Sequence, residues 1–327
     1  MTPPINAALL EQLLGNDDFV TVDQLAKAID TTATMVMADL DRLRVCGCVL
    51  HTHPQHGAKL IDSGLGVWRD YLHWIDGRSK REATRQIEVY TQVGSTQDVA
   101  RKMVEASATA ADGAIAVADE QTAGRGRIGR RWIAPPGSAV TFSRACVTEA
   151  NMSVDHFMLA TAVAVARAIE QVSGLDVKIK WPNDILVQDG KLAGILVERF
   201  KTEAGIDAAI IGIGINVALQ PDQLTGELLR PAQTITSLAM CQRPIDRLAV
   251  LAAAVAQLDR ALQVETTESL VEHWRNQSVT LDKLVTLKTN GQTLRAHVMD
   301  IDPYDGLIVR SEDGNVIHLP GATTTLL

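Results

Sequence analysis

The run SVDHFMLATAVAVARAIEQVSG, residues 153–174, is apolar nearly all round. A helix at a protein surface keeps one polar face, so a helix without one is buried. This stretch therefore predicts a central helix, with Gly174 as the residue that ends it.

Strands and helices alternate around it. IEVYTQVG predicts a strand, and STQDVARKMVEAS a helix with Ser95 as N-cap and Asp98 three residues on. AIAVADEQ and AVTFSRACV are buried strands, and VKIKWPND is a strand broken at Pro182. ILVQDGKLAGILVERF predicts a hairpin turning at Asp189-Gly190. In DAAIIGIGINVAL, Gly212 and Gly214 share one strand face, where something must come close. Two helices, IDRLAVLAAAVAQLDRALQ and ESLVEHWRNQ, complete the unit.

The flanks differ from this core. Residues 1–66 give three short helices and a hairpin, with Thr21 as a cap for the second helix and Gly47 closing the third. That order predicts a winged helix-turn-helix. Residues 67–88 give a short helix and a charged connector, whose GRSKR is a solvated linker. Residues 274–327 alternate at period two between Asn290-Gly291, Asp305-Gly306 and Asp313-Gly314, which predicts a small antiparallel barrel. The expected units are thus 1–66, 67–88, 89–273 and 274–327.

As a DNA reader, the third helix offers Thr31, Thr32 and Thr34 at its start and Arg42 and Arg44 at its far end. Residues 1–66 hold four Lys/Arg against eight Asp/Glu, so the phosphate-binding charge is thin. Operator binding and a winged helix used for protein contact both remain open. Cys46, Cys48, His51, His53 and His56 invite a zinc reading. Their spacing is not that of the usual structural fingers, and alternation along a wing strand accounts for the histidines. No metal ligands are assigned.

Net charge is −8 over 327 residues, which argues against a surface that grips nucleic acid throughout. No run approaches the roughly 20 apolar residues that span a bilayer. The first residues lack a signal-peptide pattern, and four scattered cysteines make no disulfide framework. A soluble, cytoplasmic protein without membrane contact is expected.

Anion binding must then be local, and GRGRIGRRW, 124–132, is its densest candidate. Glycines let a backbone approach a ligand and expose its N–H groups. Arg125, Arg127, Arg130 and Arg131 supply fixed charge suited to phosphate or carboxylate, and Trp132 can stack on a base or exclude water. KWPND, 180–184, and KLAGILVE, 191–198, each bring a lysine to the same sheet, with little bulk after Lys191. GIGINV, 212–217, ends with Asn216, either a nucleotide-binding amide or a strand-end turn residue.

GRGRIGRRW, KWPNDIL, KLAGILVE and GIGIN, in this order, resemble the biotin–protein ligase family. With the N-terminal unit, the whole chain resembles the bifunctional members that also repress the biotin operon. The resemblance implies an α+β multidomain fold: a winged helix-turn-helix, a mixed α/β biotin/lipoate-ligase-like catalytic domain and an SH3-like β-barrel. It implies biotin contacts from Ser95, Thr96, Gln97, Gln121, Arg125, Gly126, Arg127 and Lys191. Gln97 departs from the asparagine of the family's Ser-Thr-Asn triplet. It implies nucleotide contacts from Arg130, Trp132, Lys180, Asn183 and Asn216, and catalytic roles for Lys191 and Arg127. ATP and Mg²⁺ would serve formation of biotinyl-5′-AMP, a biotin carboxyl carrier protein would accept the biotin, and operator DNA and an adenylate-promoted homodimer would follow for a repressor. A lipoate ligase, a ligase-like sensor without transfer activity, and a ligase with a winged helix that binds no DNA are the competing readings.

Overall fold

The computed structural model describes residues 5–78, 85–147, 153–224, 226–228 and 234–327. It opens with three short helices, α1 (Ala7–Leu14), α2 (Val22–Ala28) and α3 (Ala33–Val45). The first turn of a helix leaves backbone N–H groups unpaired, and each of the three starts on a side chain that accepts one. Asn6 takes Leu9 N at 3.1 Å, Thr21 takes Gln24 N at 3.2 Å and Thr32 takes Met35 N at 3.3 Å. Leu9, Leu10, Leu25, Val36, Leu40 and Leu43 meet in a fully buried core. An antiparallel hairpin follows, β1 (Val49–His53) and β2 (Gly57–Asp62).

α4 (Trp68–Gly77) leads toward the central unit. Of the basic stretch at 77–81, residues 79–81 lie outside the described residues. The join is polar and buried. Arg85 donates to both carboxylate oxygens of Asp76 at 2.6 Å and also pairs with Asp259, which accepts from Arg144 Nε at 3.2 Å. Removing one member of such a buried set typically costs about 3–5 kcal/mol, because the charge left behind stays desolvated.

The central sheet has seven strands: β3 (Ile87–Val93), β4 (Ile115–Gln121), β5 (Ala139–Val147), β6 (Lys178–Lys180), β7 (Asp184–Val187), β8 (Gly190–Lys201) and β9 (Asp207–Asn216). Their order is β3-β4-β5-β9-β8-β7-β6, with β3 and β4 parallel and the other pairs antiparallel. Five helices accompany it: α5 (Thr96–Ala106), α6 (Ala108–Ala111), α7 (Val154–Ser173), α8 (Arg247–Gln263) and α9 (Thr267–Gln277). α7 is the apolar run, buried along almost its whole length and ended by Gly174 in the left-handed region at φ 65°.

Strand alternation divides the core into two. Ala208 and Ile210 pack with Ala100, Met103 and Val104 of α5. Their neighbours Ala209 and Ile211 belong to the larger core that includes α7 and α8. Gly212 and Gly214 continue the α5 face, and the candidate site forms there.

The β7–β8 hairpin corrects an expectation. Val187 pairs with Gly190, so the turn is Gln188-Asp189, both at positive φ, and not Asp189-Gly190. Gly190 answers a different need: a Cβ there would lie 2.8 Å from the Thr236 Cβ. Close approach of the 234–236 segment, not turn geometry, calls for the glycine.

The C-terminal part is a five-stranded antiparallel sheet of β10 (Leu284–Thr289), β11 (Gln292–Asp302), β12 (Gly306–Ser311), β13 (Val316–Leu319) and β14 (Thr324–Leu326), in the order β13-β12-β11-β10-β14. The limit expected at 88/89 falls inside β3, and the one at 273/274 falls inside α9.

Candidate active site

A cleft of about 1070 Å³, counted together with the open solvent at its mouth, lies on the α5 face of the sheet. Its floor is made by glycines on neighbouring strands. Gly194 and Gly214 are cross-strand partners, and the Trp132 indole lies on both. A Cβ at Gly214 would sit 2.3 Å from Trp132 Cε2, and one at Gly194 would sit 3.1 Å from Cζ3. The space after Lys191, expected to hold a ligand, is thus filled by the chain's own tryptophan. Gly212 serves Gln97 in the same way, since a Cβ would come within 3.0 Å of the Gln97 Cδ.

The start of α5 forms one wall and departs from the expected cap. Ser95 occupies the N-cap position, but its side chain makes no capping hydrogen bond, and Asp98 instead pairs with Arg125. The acceptor comes from β4: Gln121 Oε1 takes Thr96 N at 2.8 Å and lies 3.2 Å from Thr96 Oγ1. Ser95 is thereby released, and its buried Oγ has no partner. Gln97 donates from Nε2 to Leu196 O at 3.4 Å, which leaves its Oε1 buried and unpartnered. Trp132 Nε1 is a third such atom. Buried polar atoms without partners are rare in proteins. Three of them line this one cleft, and together they offer a hydroxyl, an amide oxygen and an N–H to a ligand.

The glycine–arginine loop folds back over the cleft. Gly126 N donates to Arg130 O at 2.7 Å and Trp132 N to Gly124 O at 3.1 Å, with Ile128 and Gly129 at positive φ. Arg125 is held by Asp98 at 2.9 Å and Glu198 at 3.2 Å, and the Asp98 hydrogen bond raises its pKa. Arg127 donates to Asn183 Oδ1 at 3.1 Å and Thr324 O at 2.7 Å, and also to Gly321 O. Burial pushes its guanidinium down to about 10, so it keeps its charge at neutral pH. Gly126 and Arg130 line the same cleft.

Opposite the loop, Lys191 Nζ lies 2.5 Å from Asp184 Oδ1, with both side chains largely buried. Asn183 Nδ2 donates to Ile195 O at 3.0 Å. Asn216 also lines the cleft, but its Nδ2 donates to Thr236 O at 3.1 Å and Lys191 O at 3.5 Å. These bonds hold the amide at the end of β9, on the wall of the cleft. Lys180 does not line the cleft, a correction to its expected place beside the phosphates. β6 buries Ile179 and leaves Lys178 and Lys180 on the other face. KWPND also contains Asp184, which the sequence pattern alone does not single out; its position one residue past Asn183 and its pairing to Lys191 across β7–β8 make it part of the site.

The N-terminal candidates lie on α3 and around it. Thr32 Oγ1 is used as the α3 cap, and Thr34 is exposed. Thr31 is half-buried. Arg42 pairs with Asp39 at 2.8 Å, Arg44 with Asp41 at 2.6 Å, and Met35 and Met37 are exposed between them and the helix start. The cysteines and histidines do not converge: Cys48 Sγ donates to Ser63 O at 2.8 Å in the core, whereas His53 and His56 stack on the exposed hairpin. Among the described residues, Asp302, Asp305 and His318 form one trio with metal-ligand spacing, and none of them lines the cleft.

Residues 89–216 match the biotin/lipoate A/B protein ligase family. The chain is 28% identical over 303 residues, 91% of each chain, to a Bacillus subtilis (strain 168) protein named bifunctional ligase/repressor BirA. It is 29% identical to a Mycobacterium tuberculosis biotin--[acetyl-CoA-carboxylase] ligase, over 75% of this chain and 96% of that one. The fold is similar to that of a biotin protein ligase from Aquifex aeolicus solved with biotin and ATP, with a TM-score of 0.62 and 23% identity over 74% of this chain and 98% of that one. Among the described residues, no helix is long and apolar enough to cross a membrane.

Proposed function

This chain carries a domain of the biotin/lipoate A/B protein ligase family over residues 89–216, and on that premise we propose that it is an ATP-dependent biotin–protein ligase that forms biotinyl-5′-AMP and passes the biotin to a lysine of a biotin carboxyl carrier protein. The observation that carries this reading is the set of unpartnered atoms on a cleft also lined by Arg127 and Lys191. A neutral cyclic urea needs hydrogen-bond donors and acceptors away from water, and its distant carboxylate needs cations. Ser95, Thr96, Gln97 and Gln121 provide the polar end. Arg125, Gly126, Arg127 and Lys191 receive the anionic end, with Arg130, Trp132, Asn183 and Asn216 beside the nucleotide.

In the first step a biotin carboxylate oxygen attacks the α-phosphorus of ATP, the bond to pyrophosphate breaks, and the mixed anhydride forms. Both reactants are anions, so the cations offset their repulsion and hold them in line. Lys191 is kept in place for this by Asp184. In the second step the acceptor lysine attacks the anhydride carbonyl and AMP leaves. Water would destroy the anhydride first, so the 124–132 loop covers it until the acceptor arrives. Among the described residues Asp184 is the one carboxylate lining the cleft, and it is engaged by Lys191, so this lining does not fit an all-protein Mg²⁺ cage. Mg²⁺ would arrive on the ATP phosphates with water completing its shell.

The three helices and hairpin are read as a winged helix-turn-helix, with residues 67–88 as connector and 274–327 as an SH3-like barrel. With it comes repression of biotin genes by an adenylate-promoted homodimer on operator DNA, in the cytoplasm. A second reading rests on one observation: Arg42 and Arg44 are tied to aspartates and α3 exposes two methionines, which suits contact with a protein. Gel shifts on the organism's biotin-gene promoters, with and without biotin and ATP, separate the two. Salt-sensitive, adenylate-dependent retardation supports the operator; its absence supports protein contact. For the ligase itself, labelled biotin, ATP, Mg²⁺ and a carrier domain are incubated with the protein. Label on the carrier lysine is expected, and adenylate without transfer would leave only the sensor reading.

A further inference from the structure

Arg127 is a half-buried cation whose hydrogen-bond acceptors among the described residues are all neutral. They are one side-chain amide, Asn183, and two backbone carbonyls, Gly321 and Thr324, contributed by the turn before β14 and by that strand. A guanidinium held only by neutral oxygens has its position fixed while its charge stays available to an anion in the cleft. What fixes the turn is therefore part of how the site works.

The turn is held from the other side by α7. Gly321 N donates to Asp155 Oδ1 at 2.7 Å, in the first turn of that helix, and Gly321 O accepts from Arg127. One peptide segment thus links Asp155 to Arg127 through its N–H and its C=O. The fit leaves no room for a side chain. A Cβ at Gly321 would lie 2.7 Å from Asp155 Oδ1 and 3.3 Å from Pro182 Cβ, in the turn that carries Asn183.

We propose that Asp155 and Gly321 are positioning residues of the ligase reaction: through the 320–324 turn they latch Arg127, and with it the 124–132 loop, over the reaction intermediate. The C-terminal sheet then sets how well the site retains an activated acyl-adenylate. Asp155 does not touch substrate and acts through Gly321. This inference rests on the ligase reading, and its test has one readout that does not.

Asp155→Ala removes the acceptor of the Gly321 N–H, whereas Asp155→Asn keeps an oxygen in that place. Tyr304→Ala removes the stacking of Tyr304 on His156 at the same junction and none of the latch hydrogen bonds. The first readout is hydrogen exchange of residues 124–132 in the full ligand-free chain. Asp155→Ala should speed it about five- to tenfold, the worth of one hydrogen bond, while Asp155→Asn and Tyr304→Ala match the wild type. The second readout is the fraction of labelled biotinyl-adenylate that passes an ultrafilter instead of staying on the protein, which should rise by a similar factor in Asp155→Ala and Gly321→Ala alone. Thermal melts identify a variant that has simply lost its fold, and Gly321→Ala then carries the comparison. Unchanged loop exchange in Asp155→Ala, or equal acceleration in Asp155→Asn or Tyr304→Ala, overturns the latch whether or not adenylate is made. Absence of adenylate from the wild type, with the exchange pattern as expected, overturns the ligase reading and leaves the anchoring of Arg127 standing.

Discussion

The Lys191 ammonium lies 2.5 Å from the Asp184 carboxylate across the β7–β8 hairpin, with the two side chains 19% and 15% exposed. The pair holds a flexible side chain in one place beside the cleft, so little ordering is left for the reaction itself. Lys191→Ala should lower the rate of adenylate formation roughly 10²–10³-fold, as loss of one preorganised donor to developing charge does. Pyrophosphate exchange with ATP measures this step alone. A rate within threefold of wild type, taken as about 0.6 kcal/mol, would remove Lys191 from the chemistry.

Gln97 reaches over Gly212 to Leu196 O and leaves Oε1 facing the cleft. Gln97→Asn shortens the side chain by one methylene and withdraws that oxygen. KM for biotin should rise by about tenfold, near the 1.4 kcal/mol of a lost hydrogen bond, with kcat little changed, because such a contact binds ground and transition states alike. A fall in kcat at constant KM would contradict this placement.

Gly214→Ala sets a methyl against the Trp132 indole, 2.3 Å from Cε2. The indole cannot stay, and with it moves the end of the loop. Overpacking of this kind costs about 1–3 kcal/mol, and ATP binding should weaken along with stability. Tryptophan fluorescence and a melt follow both; an unshifted melt with normal ATP affinity would show the floor to be loosely packed.

Much of this organisation is legible in the sequence, for physical reasons that differ by element. α7 announces itself because a helix without a polar face has only one place to be. The glycines at 212 and 214 reveal that something approaches β9, yet they do not reveal what, and Trp132 arrives from 80 residues upstream in the chain. The turn at Gln188-Asp189 was hidden because Gly190 looks like a turn residue while serving the approach of Thr236. Ser95 looks like a cap, and only the fold shows Gln121 taking that role and freeing the serine hydroxyl. Asp155 and Gly321 were invisible as site residues, since two separate parts of the chain must meet before either has a function.

Glu265 supplies a pH dependence of stability. Burial by itself would raise its pKa, but the Arg167 hydrogen bond and the nearby Arg260 outweigh that and leave it lowered. A carboxyl lowered by folding stabilises fully above its unfolded value, about 4.3, and the contribution is lost as pH falls through the folded value. Glu265→Gln should therefore melt earlier than wild type at pH 7, with the gap closing below about pH 4. A gap that persists unchanged in acid would mean that the loss comes from packing and not from charge.

The bound intermediate is the most direct signature of the proposed ligase reaction. The purified chain is mixed with biotin, ATP and Mg²⁺ without any carrier, passed rapidly through a desalting column, and the small molecule released from the protein fraction is identified by mass spectrometry. Near-stoichiometric biotinyl-5′-AMP is predicted, with much less bound to Arg127→Gly and more of it free. Recovery of unreacted biotin and ATP, with no adenylate in either fraction, would contradict the central claim.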